Sequence, residues 1–203
     1  MLNIAFHPMY QLPLPLKHRF PMEKYDLLPR QLIHEGSCTA EDFFTPTALD
    51  RAIIERIHHP EYVKKLLALD LNKKEARKIG FPLSKELIER EILIAGGTVQ
   101  GALKALKDGI AMNIAGGTHH AFKAHGEAFC LLNDQAIAAQ YLLDQKLVTN
   151  ILIVDLDVHQ GNGTAEVFES KPNVFTFSMH GEKNYPFHKE NSCLLYTSPS
   201  PRD

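Results

Sequence analysis

The sequence predicts an α/β fold organised around a parallel sheet, on three observations. Ile151, Leu152, Ile153 and Val154 form a short, continuous, largely β-branched run, the pattern of a strand covered on both faces of a parallel sheet. Asp155, Asp157 and His159 follow directly, and open α/β sheets collect their ligands at the carboxyl ends of their strands. A second apolar run, 110–115, leads in the same way into Gly116, Gly117, Thr118, His119 and His120, with helical patterns lying between the two runs.

In chain order, a first strand is expected over 2–6, followed by a long proline-containing loop over 8–21. Helices follow over 46–57, with Thr45 available as a cap, and over 60–69, where Pro60 suits a first helical position. His58 and His59, just before that proline, read as surface or capping residues. The charged run 73–78 reads as a solvated surface. Ser84 can cap a helix through Ile94, Gly96 and Gly97 are expected to interrupt it, and a further helix covers 98–107. The run 110–115 is a short buried strand, and the helix after Asn133 carries Ile137, Tyr141 and Leu142 on a face that can pack. Past the strand at 151–154, Gly161 and Gly163 permit a tight turn, and Thr164 can cap a short helix bearing Val167 and Phe168.

The 203 residues, 44% apolar and 23% charged, are enough for one domain with a substantial core and contain no repeat or low-complexity linker. A net charge of -2 argues against general nucleic-acid affinity. No apolar run approaches the ~20 residues of a membrane helix, and the start lacks a basic-then-apolar signal. Cys38, Cys130 and Cys193 are far apart, without paired metal-ligand spacing, which fits a reducing, cytoplasmic setting and leaves Cys38 and Cys130 as small apolar residues.

Residues two apart on a strand point to the same side, so Asp155, Asp157 and His159 are expected to leave the sheet together. A carboxylate and an imidazole are two of the three protein ligands of a catalytic zinc, whose fourth position is left for water. His119 and His120, after a glycine turn, can both face a cleft, one as a proton shuttle and the other as its electrostatic partner; a surface pair is the bland alternative.

The segments 113–122, 128–135, 151–168 and 174–187, in that order, together with Arg19, Phe20, Pro21, Met22, Glu23, Lys24 and Tyr25, resemble the histone deacetylase family of the arginase/deacetylase superfamily, in a bacterial-type form. The resemblance implies a single-domain parallel-sheet sandwich and a zinc-dependent deacetylase acting on an acetylated lysine or a small acetylated amine. By the same resemblance, Asp157 and His159 are zinc ligands and His119 and His120 are catalytic. Asp155 bonds the first histidine and, with Ser178 and Met179, holds a structural monovalent cation such as K⁺. Asn162 partners the second histidine; many relatives carry Asp there, and Asn suggests a class II-like variant whose amide raises the histidine's pKa less. Phe129 and Phe187 match two aromatic walls around the substrate's aliphatic stem, and Ala128 stands where many relatives have glycine.

The third zinc ligand and a carbonyl-contacting tyrosine, which the resemblance places farther along the chain, find no match, and Tyr196 is a poor candidate for that tyrosine. Residues 1–192 therefore read as the amino-terminal part of a catalytic domain that is incomplete at its carboxyl terminus, and 193–203 as a non-native tail resembling translated vector sequence. The chain alone is expected to be inactive. The alternatives are an arginase-type ureohydrolase, against which the order Asp155, Asp157, His159 speaks, and a non-catalytic partner-binding module.

Overall fold

The structure, a computed structural model, describes residues 2–198. Among them are two three-stranded sheets with every pairing parallel. In the first, β1 (Ile4–Ala5) lies between β2 (Phe43–Phe44) and β3 (Met112–Asn113). In the second, β5 (Val174–Gly181) lies between β4 (Ile151–Asp155) and β6 (Leu194–Ser198). The helices are α1 (Lys24–His34), α2 (Arg51–Ile54), α3 (Pro60–Leu67), α4 (Lys73–Ile79), α5 (Lys85–Asp108), α6 (Asp134–Asp144) and α7 (Asn162–Phe168). The α/β class with parallel pairing is the one the sequence predicts. Residues 199–203 of the expected tail lie outside the described residues, whereas Leu194–Ser198 extends the second sheet.

The long α5 is the spine of the fold. Ser84 Oγ accepts the Leu87 amide at 3.1 Å to start it, and Gly109, at φ +90°, ends it in the left-handed conformation that costs glycine nothing. Its apolar face, including Leu87 and Ile94, packs on α6 and joins Ile54, Leu66, Leu131, Ile137 and Phe168 in one core. Gly96 and Gly97 do not interrupt it. A β-carbon on Gly97 would stand 2.5 Å from the Tyr10 hydroxyl, so close approach of the loop after β1 is the reason for a small residue there. Arg90, fully buried on the same helix, donates from Nε to the Tyr10 carbonyl at 2.7 Å and pairs with Glu91, which pins that loop.

Several local expectations are corrected. The strand expected over 110–115 shrinks to Met112–Asn113, with Ile110 and Met112 exposed, because β3 is an outer strand of its sheet. The β4 run is covered on one face only: Leu152 is 62% and Val154 50% exposed, since the described helices pack on the other face. Within 46–57 only Arg51–Ile54 is α-helical, starting after Asp50 and not Thr45. Thr164 lies inside α7, whose N-cap is Gly161, and its hydroxyl accepts from Asn133 Nδ2 at 3.0 Å.

His58 is not a surface residue. It is fully buried; its Nε2 accepts the Asn133 amide at 2.9 Å, so Nδ1 must carry the proton that it donates to the Phe122 carbonyl at 2.9 Å. Burial holds its pKa down to about 4. His59 does occupy the cap position of α3, without a side-chain capping bond.

Candidate active site

Two loops and one helix start bring the chemistry together. The loop after β3 is held by Asp134, at the start of α6, whose carboxylate accepts from the Gly117 amide at 3.1 Å, the Thr118 amide at 2.8 Å and the Thr118 hydroxyl at 2.6 Å. Thr98 Oγ1 adds a bond at 2.5 Å from α5. A carboxylate accepts only, so this group of donors selects it and fixes the backbone that carries His119 and His120. Asn133 caps α6 through the Ala136 amide at 3.0 Å and also donates to the Ala121 carbonyl at 3.1 Å, tying the same loop from its other end.

Both tandem histidines are buried, with ring centroids 4.1 Å apart. His119 Nδ1 lies 2.6 Å from Asp155 Oδ2, and His120 Nδ1 lies 2.7 Å from Asn162 Oδ1. The two differ electrostatically. Burial opposes a charge on His119, but the hydrogen bond and the negative charge of Asp155, with Asp157 behind it, outweigh that penalty and hold its pKa above the ordinary value. At His120 burial and the neighbouring His119 prevail over the neutral Asn162 bond, and the pKa falls to about 4. A pair with opposite shifts can hold one charged and one neutral imidazole at the same pH.

Asp155 ends β4, so the strand alternation expected to run on to His159 stops there. The following residues instead fold back by side-chain bonds: the Asp157 amide donates to Asp155 Oδ1 at 3.0 Å, and the His159 amide donates to Asp157 Oδ1 at 2.7 Å. Asp157 and His159 are half-exposed and face each other, with His159 Nδ1 3.0 Å from Asp157 Oδ1. Burial raises the Asp157 pKa, but the His159 amide and the nearby His119 and His159 outweigh it and bring the carboxyl below its usual range. Asp157 and His159 supply the donor types of a zinc site, yet no group of three His, Cys, Asp or Glu able to hold a metal ion occurs among the described residues.

Asp155 and Ser178 are register partners across β4 and β5, while Met179 presents an exposed side chain on the other face. Ser178 Oγ lies 3.0 Å from Nδ1 of His180, a buried histidine whose Nε2 has no hydrogen-bond partner. Phe129 is packed with Phe20 and Phe81, each at 5.0 Å between centroids, under the Arg19 guanidinium. Phe187 is 85% exposed and its ring contact is with Tyr185, so the two phenylalanines have different neighbours. Ala128 and Phe129 both adopt positive φ, +47° and +68°.

Sequence reasoning missed four residues here, Asp134, His180, Glu127 and Tyr185. Asp134 and His180 carry no marker beyond their type. Glu127 lies one residue before Ala128, and its carboxylate accepts from Asn162 Nδ2 at 2.8 Å, from Lys78 Nζ at 3.1 Å and from the Tyr185 hydroxyl. Burial would raise its pKa, but the bonds from His125, Tyr185, Asn162 and Lys78 dominate and hold it far below the carboxylate range. Lys78, from the run expected to be solvated surface, therefore reaches the back of the site. The Tyr185 ring stands edge-on to His120 at 5.1 Å and to His159 at 6.2 Å.

Among known proteins, the sequence profile of the histone deacetylase domain matches residues 18–195. The chain is 47% identical over 191 residues to an uncharacterized protein of Picosynechococcus sp., covering 94% of this chain and 64% of the relative. It is 36% identical over 148 residues to histone deacetylase clr6 of Schizosaccharomyces pombe, covering 67% of this chain and 36% of the relative. The crystal structure of an HDAC homolog complexed with SAHA superposes with a TM-score of 0.81 at 25% identity, over 98% of this chain and 59% of that one. The chain thus spans about two thirds or less of the length of each.

Proposed function

The chain belongs to the histone deacetylase family, and from that premise we propose that it carries the proton-transfer half of a metal-dependent amidohydrolase acting on an acetylated lysine side chain or a small acetylated amine. The observation that supports this reading most is the pair of buried dyads, His119 with Asp155 and His120 with Asn162, set beside Asp157 and His159. Zinc, held by Asp157 and His159 with a further ligand from outside the described residues, would polarise the amide carbonyl and lower the pKa of water.

The chain's own residues divide the remaining work. His120, neutral at physiological pH, can take a proton at Nε2 because Nδ1 is committed to Asn162. His119, held nearer its charged form by Asp155, supplies positive charge beside the reacting centre and can return a proton to the leaving amine. The Tyr185 ring edge walls the cleft next to both His120 and His159. Phe129 and Phe187 would serve as apolar surface for the methylene stem, and Asp155 with Ser178 and the Met179 backbone would hold a K⁺ ion, whose charge would be balanced there by the Asp155 carboxylate.

The test is acetate release from an acetyl-lysine peptide and from an acetylpolyamine, with zinc present. His120→Ala is expected to lower turnover by about 10²–10⁴-fold and more than His119→Ala, because it removes the base itself. No release from either substrate by a zinc-loaded protein carrying a third ligand would overturn the reading. An arginase-type reaction is disfavoured by the order of the acidic residues and histidine in 155–159.

A further inference from the structure

We propose that Glu127 is the carboxylate partner of His120, acting through the side-chain amide of Asn162, and so sets the tautomer in which His120 works. The proposal deepens the function reading above and rests on it only where turnover is concerned.

The argument is one of donors and acceptors. Glu127 Oε1 stands 2.8 Å from Asn162 Nδ2, and an ionised carboxylate can only accept. The amide nitrogen of Asn162 must therefore face Glu127, which turns Oδ1 toward His120 Nδ1 at 2.7 Å. An amide oxygen also only accepts, so His120 must carry its proton on Nδ1 and leave Nε2 bare. The Gly163 amide, donating to the same Oδ1 at 3.0 Å, favours the same orientation.

A carboxylate is thereby linked to the second histidine, one amide removed, and the amide is polarised by the charge behind it. Three features show that Glu127 is built for this. Its side chain is 12% exposed, its carboxylate is held by Lys78 at 3.1 Å, and it accepts the Tyr185 hydroxyl. Tyr185 in turn packs against His120 in a T-shaped ring contact at 5.1 Å, so one carboxylate orients both the partner of His120 and an aromatic neighbour of its ring. Glu127 touches no reacting atom; it is a positioning residue.

The arrangement makes a specific demand. Aspartate at 162 would place two carboxylates at hydrogen-bond distance, and like charges so close cannot both be ionised. A glutamine at 127 would reverse the polarity and satisfy that aspartate.

The experiment compares wild type, Glu127→Leu, Asn162→Asp and the double variant Glu127→Gln/Asn162→Asp. Long-range ¹H–¹⁵N correlation of the imidazoles, with His120 assigned through His120→Gln, reads the tautomer directly and needs no turnover. Wild type is expected as the Nδ1–H form, and Glu127→Leu should shift the ratio toward Nε2–H by roughly tenfold, the worth of one charge-assisted hydrogen bond. In acetyl-lysine turnover, measured in the zinc-loaded protein carrying a third ligand, Asn162→Asp should lose roughly tenfold or more and the double variant should recover most of it, a swap that a purely structural role would not produce. An unchanged tautomer in Glu127→Leu overturns the proposal, as does a double variant no better than Asn162→Asp. If the zinc-loaded protein carrying a third ligand releases no acetate with Glu127 and Asn162 both in place, the function reading fails while the tautomer measurement still decides the role of Glu127.

Discussion

Asp155 Oδ2 occupies the space that a β-carbon on Gly161 would fill, and His119 Nδ1 lies 3.2 Å from the same point. The glycine at 161 is therefore a requirement of the His119 and Asp155 pair, not of a turn: its φ of -71° is open to any residue. Gly163, inside α7, is similarly pressed on the Ala121 backbone.

Gly161→Ala should consequently push the Asp155 carboxylate off His119 and cost about 1–3 kcal/mol of stability, the usual range for overpacking a filled site. Urea unfolding gives the stability loss. The His119 imidazole resonances should move toward those of an unpaired ring, and an alanine variant of wild-type stability and spectrum would contradict the close approach.

His58 predicts an acid limb in the stability curve. Its folded pKa, about 4, lies below the unfolded value of ~6.5, so the unfolded chain binds the extra proton between them. The contribution is complete above pH ~6.5 and is lost as pH falls toward 4, about 3 kcal/mol in all. Between pH 6.5 and 5, wild type should lose about 2 kcal/mol more than His58→Gln. Parallel curves for the two proteins would show that His58 is not buried neutral.

Ala128 carries a left-handed backbone without being glycine, at φ +47°. Relief of that strain, about 1–2 kcal/mol, exceeds the extra freedom glycine gives the unfolded chain, about 0.4–1 kcal/mol. Ala128→Gly should stabilise the protein by about 0.5–1 kcal/mol, measured by thermal or urea unfolding. A loss of stability would place the Ala128 methyl in a favourable contact.

With Asp157 and His159 but no third donor gathered among the described residues, zinc affinity should be weak. Calorimetric titration of the chain is expected to show binding weaker than micromolar, and a chelator should leave the unfolding temperature unchanged. Tight stoichiometric binding abolished by Asp157→Ala would reveal a further ligand.

The parallel α/β class was legible in the sequence because it rests on local signals: the apolar run 151–154, the Ser84 and Asn133 caps acting three residues along the chain, and glycines after strands. The grouping of Asp155, Asp157 and His159, and of His119 with His120, was legible for the same reason, since neighbours in sequence share a loop. Tertiary structure alone decided the rest. His58 became a buried hydrogen-bonded residue through a contact 75 positions away, and Glu127 met Asn162 across 35. Asp134 acquired its donors from α5 and from the loop after β3. Nothing local marks such residues, because a carboxylate or imidazole has the same propensities whether water or a distant amide satisfies it. Likewise the β4 run was apolar on both faces, yet Leu152 and Val154 stand exposed: periodicity reports which side chains could be buried, and only packing supplies the partner that buries them.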